Sequence, residues 1–125
     1  MILRVRKDGD QKILAHHVVP ARTPWARMKG LIGRKNLAPG EGIWLVPCNS
    51  IHMFGMSIPL DVIFLDRSRK VLKCIRHLLP GKVVWPVRGA HSVLELGVGS
   101  VVNPEELVGA SLLIEQCPPT TSSSS

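Results

Sequence analysis

Between residues 48 and 66 the chain reads CNSIHMFGMSIPLDVIFLD, which sets a thiol, an imidazole and two carboxylates around one of its most apolar runs. Three chemistries fit those residue types. Cys48 with His52 could act as nucleophile and base, with Asp61 orienting the imidazole, provided the thiol is activated by a helix N-terminus or nearby positive charge. This would make the chain a thiol-dependent hydrolase. Alternatively, Cys-x-x-x-His can reach one metal ion, but structural zinc takes four protein ligands and catalytic zinc three. The remaining donors would have to come from Cys74, His77, His91 or Asp66, none at motif spacing. No metal site and no cofactor are therefore assigned. In the third reading the ionisable groups line a binding site or stitch a core.

Asp61 decides most between these. In IPLDVIFL, Ile58, Leu60, Val62 and Phe64 fall on one side of a strand, and Asp61 shares the other with Ile63 and Leu65. Both sides are apolar, so the strand is expected to be covered on both faces. An ionised carboxylate there costs several kcal/mol, of order 3–5, unless it is paired or hydrogen-bonded. Arg22, Arg34 and His52 are its expected partners. They make either an ion pair tying a loop to the sheet or a ligand-binding cluster of Arg22, Arg34, His52 and Asp61. Met53 and Met56 read as core filling. Adjacent His16 and His17 face opposite ways on a strand and do not share a metal.

The elements that must position these groups are mostly strands. Ile2 to Arg6 and Lys12 to Val19 flank KDGD as a hairpin. Thr23 as cap, Pro24 at the first position and Gly33 as stop predict a short helix over 24–32, with Trp25, Met28 and Ile32 on one face. Further strands are expected at 43–46, 58–65, 71–75, 92–96 and 111–115. NPEELVG, with Asn103 as cap and Pro104 behind it, predicts one helical turn. The stretch LPGKVVWPVRGAH, broken by two prolines and two glycines, reads as mostly loop with a short extended piece. The expected fold is mainly β (α+β): a curled antiparallel sheet or partly closed barrel with one short helix packed on it. A single domain over 1–117 and a disordered Ser/Thr/Pro tail over 118–125 are expected.

Composition bounds the partners. At 125 residues and 45% hydrophobic the chain can bury one core. Its formal charge of +7 would draw anions to it. The basic residues are scattered, however, and the chain holds three Trp, two Phe and no Tyr to stack on bases, which disfavours nucleic-acid binding. Cys48, Cys74 and Cys117 are odd in number and widely spaced, unlike a disulfide framework. The N-terminal MILRVRKDGDQKIL lacks the apolar core of a signal peptide, and no run is long enough to span a membrane, so a cytoplasmic location is expected.

Four segments together, RMKGLIGR at 27–34, GEG at 40–42, PCNSIH at 47–52 and IPLDVIFLD at 58–66, resemble the prokaryotic family known as Domain of Unknown Function 192. The resemblance runs from residue 2 to about 116. It implies a compact, β-rich single domain and assigns no reaction, cofactor or substrate. The positions matching the family motif are Arg22, Gly30, Leu31, Gly33, Arg34, His52, Met56, Asp61 and Asp66. Met53 stands where the family commonly has Thr.

The leading expectation is a noncatalytic binding or accessory domain that takes a small anionic ligand or a peptide through Arg22, Arg34, His52 and Asp61. The alternative is a thiol- or metal-dependent hydrolytic enzyme using Cys48 and His52.

Overall fold

The computed structural model describes residues 1–23 and 36–117. Two expectations fall outside them: the helix over 24–32 and the tail over 118–125. Arg34 falls outside them as well.

The KDGD turn works as its composition implies. Gly9 takes a left-handed conformation and Asp10 N–H donates to the Lys7 carbonyl, which turns β1 (Leu3–Lys7) back into β2 (Ile13–Ala21). Seven strands then form one sheet. Besides β1 and β2 these are β3 (Glu41–Leu45), β5 (Leu60–Leu65), β6 (Val71–Leu78), β8 (Ser92–Gly97) and β9 (Leu112–Gln116), in the order β6-β5-β8-β3-β2-β1-β9. A second sheet pairs two short strands, β4 (Ile51–His52) and β7 (Val83–Val84). One short helix, α1 (Pro104–Leu107), starts at Asn103 with Pro104 in its first turn, as the sequence predicts.

The sheet is mainly antiparallel, as expected, with one parallel pair. β2 and β3 run parallel, with His17 opposite Glu41 and Ala21 opposite Leu45. Residues 22–40 lie between them, and a parallel pair requires a crossover of about that length. The sheet curls without closing into a barrel. Its two ends approach where the turn after β5 meets the start of β9: Lys70 bridges Ser111, and Leu112 N–H donates to the Arg69 carbonyl at 2.9 Å.

Apolar side chains fill both faces. Ile63 and Leu65 join Leu3, Val5, Val18, Leu94, Leu96 and Leu107 in one cluster. Leu60, Val62 and Phe64 join Ile43, Leu45, Val93, Met53 and Met56 in the other. β5 therefore buries all six residues, between β6 on one side and β8 on the other. The two methionines fill core, and Met53, at the position where the motif departs, is fully buried. Gly42 permits the close approach of β3 to β8, because a Cβ there would fall on the Glu95 carbonyl oxygen. No helix among the described residues is long and apolar enough to cross a membrane.

Candidate functional site

Asp61 is 1% exposed and both its oxygens are engaged. Oδ1 accepts from the His77 amide at 2.9 Å, and Oδ2 accepts from the Gly99 and Val101 amides at 3.1 and 2.9 Å. The expected partners Arg22 and His52 are thus replaced by backbone. The reason is local. Pairing of β5 with β6 slips between Leu60 and Val62, leaving His77 bulged with φ 55, a conformation disfavoured for a side-chain-bearing residue. The bulge frees the His77 amide, and Gly99 at φ 100 turns the chain after β8 so that two further amides converge. A carboxylate accepting several backbone N–H bonds is stabilised without a cation.

Asp66, the other acid of the motif, also organises backbone. Its Oδ1 accepts from the Ser68 and Lys70 amides at 2.8 and 2.9 Å, fixing the β5–β6 turn.

His52 lies elsewhere. β4 and Met53 cover the face of the sheet formed by Leu60, Val62 and Phe64, whereas Asp61 shares the opposite face with Ile63 and Leu65. His52 points outward and exposed, opposite Val83, with its ring stacked on Phe54 at 5.5 Å between centroids. Arg22 is exposed just past the end of β2. The structure therefore separates Asp61 from His52 by the thickness of the sheet.

Cys48 is half-buried, and its thiol donates to the Ser50 carbonyl at 3.0 Å. At Cys74 burial, with the Asp61 charge adding to it, pushes the thiol up to about 11. Among the described residues, no group of three or more His, Cys, Asp and Glu side chains gathers to hold a metal.

Glu95 was missed in the sequence. It is fully buried at the middle of β8, between Ile43 and Val62 on the neighbouring strands, and it is engaged by its surroundings. The argument applied to Asp61 would have found it, since SVLELG sets one acid among apolar residues in a strand. It shares a face with Val93, on the side that β4 covers, and so lies across the sheet from Asp61.

The face around His52 is the part of this region that meets solvent. Phe54, Val83 and Trp85 are exposed beside it. No acidic residue occurs from Val46 to Leu60 or from Arg67 to Leu94; Glu95, on the side of the sheet that β4 covers, is fully buried. A separate cleft, lined by Lys7, Lys12, Ser100, Asn103 and Glu106 among others, lies where the β1–β2 turn meets α1.

A family model, DUF192 (Uncharacterized ACR), matches residues 4–112. A curated relative, the UPF0127 protein of Thermococcus sibiricus, is 33% identical over 95 residues, covering 72% of this chain. The chain spans 60% of that relative's length. Two crystal structures share the fold at 24% identity and TM-score 0.69. One is a protein of unknown function from Novosphingobium aromaticivorans, with 90% of this chain and 84% of that one covered. The other, from Sinorhizobium meliloti, is provisionally described as a transcription regulator, with 89% and 90% covered.

Proposed function

From the premise that this chain belongs to the DUF192 family, we propose that it is a noncatalytic binding or accessory domain that engages an anionic ligand or peptide through the His52 face. Arg22, His52 and, from the family motif, Arg34 meet the anion. Asp61, with both oxygens already engaged, takes the structural part. The observation that carries the reading is the exposed His52 held on β4 against Phe54, in a stretch without a single acid. Pairing of β4 with β7 fixes the backbone that carries the imidazole while leaving the ring accessible, and the chain's net positive charge raises the local concentration of anions. Arg side chains add bidentate contacts suited to carboxylate or phosphate.

The test is an NMR titration of the full chain with inorganic phosphate and with a short Glu-rich peptide. Amide shifts over 51–54 and 83–85, abolished in His52→Ala at unchanged stability, are expected. Shifts confined to the cleft beside α1, or none at all, would overturn the proposal.

A further inference from the structure

We propose that the outward face of the β4–β7 sheet docks the protein on a membrane surface rich in anionic lipid. The inference rests on the binding reading above and names the partner of that same face. Four large apolar side chains are exposed there: Phe54 at 58%, Leu79 at 46%, Val83 at 43% and Trp85 at 79%.

Backbone pairing draws them together. Val83 sits opposite His52, and the exposed Trp85 follows directly on the end of β7. His52 stacks on Phe54. The turn from Leu79 to Lys82 is closed by the Lys82 amide on the Leu79 carbonyl and tied to Met53, the residue after β4 and before Phe54, by the Gly81 amide on the Met53 carbonyl at 3.0 Å.

The arrangement suits a lipid surface better than a peptide. Phe54 lies in the turn before Gly55, Leu79 opens its own turn and Trp85 directly precedes Pro86, so the apolar groups project from three separate chain reversals or breaks. None of them lines the cleft beside α1. Trp and Phe carried on turn tips partition into the headgroup region, where an aromatic body is buried and polar edges stay wet. Exposed Lys73, Lys82 and Arg88 border this part of the chain with no acid between Arg67 and Leu94, the charge complement of an anionic headgroup layer.

The experiment is co-sedimentation of the full chain with vesicles of phosphatidylglycerol and phosphatidylcholine, or of phosphatidylcholine alone, at low and at about 0.5 M salt, where charge is screened. The soluble Glu-rich peptide titration is run in parallel on the same samples. Expected are binding to the anionic vesicles only, weakening with salt, and a partition constant lowered roughly tenfold by Trp85→Ala through lost apolar burial. Trp85 is mostly exposed, so that variant keeps its fold. Vesicle binding indifferent to Trp85→Ala would reduce the effect to net charge and overturn the inference. Absence of vesicle binding, with peptide shifts at the same amides, would overturn the membrane partner and leave the binding reading standing. Failure of both would overturn both.

Discussion

Replacing Asp61 should weaken the fold before it affects any ligand. The carboxylate holds three amides, from β6 and from the turn after β8, at 2.9 to 3.1 Å. A hydrogen bond to a charged group contributes about 1.5–3 kcal/mol, and a buried donor left unsatisfied costs about 1–3 kcal/mol. In Asp61→Ala the Val101 amide stays buried without a partner, while the His77 and Gly99 amides, in exposed residues, recover water. The net loss is therefore about 3–5 kcal/mol rather than the sum of three full bonds. Asp61→Asn keeps one acceptor oxygen. Turned toward Gly99 and Val101, it leaves an NH2 facing the His77 amide, for a loss of about 1.5–3 kcal/mol. Against a typical total of about 5–15 kcal/mol, the alanine variant is marginal. Urea unfolding with unchanged m-value measures both losses. Amide hydrogen exchange in Asp61→Asn locates them, with His77 deprotected first. A loss below about 1 kcal/mol with protection intact at all three amides would refute the argument.

Three further outcomes follow from the same structure. Gly42→Ala drives a Cβ into the Glu95 carbonyl of the adjacent strand and should cost at least about 2–3 kcal/mol by thermal unfolding, since backbone rather than a flexible side chain must give way. Cys74, with its thiol raised to about 11, should alkylate at neutral pH roughly a hundredfold more slowly than an unperturbed thiol; comparable labelling at all three cysteines would count against its burial. The Arg6 hydrogen bond holds the Glu115 carboxyl below its ordinary 4.5, so its contribution is full above that value and fades as pH falls through the folded-state value; acid titration of stability should be shallower in Glu115→Gln, most visibly below pH 4.5.

The doubly apolar β5 was legible because alternation of side chains is a local property: Leu60, Val62 and Phe64 against Ile63 and Leu65 needs no knowledge of neighbours. The Asn103–Pro104 start was legible for the same reason. That Asp61 needs partners also followed from its own strand. Their identity did not, because they are amides freed by a bulge at His77 and a turn at Gly99, distant in sequence. β4, only Ile51 and His52, has no pattern of its own and exists through pairing with β7. Strand direction is equally silent in composition, so the parallel pairing of β2 and β3 had to be read from the structure. His52 was grouped with Asp61 because the two are neighbours along a motif, and such neighbours can end on opposite faces of a sheet.

The place of β1 between β2 and β9 has a consequence for how the molecule comes into being. Five residue pairs join Leu3–Lys7 to Leu112–Gln116, almost the whole described chain apart. Local contacts form early, whereas a ladder between the first and last strands must wait for the loop between them to close. During synthesis β1 can pair with β2 at once, yet its other edge stays bare until residues 112–116 have been made. For that interval the nascent chain carries an open, apolar edge with Val5 on it, the kind of template on which strands of other chains add. Completion of this fold is thus timed by its last strand, and Arg4 and Arg6, waiting for Glu115, put two positive charges on the edge that must stay unpaired in the meantime.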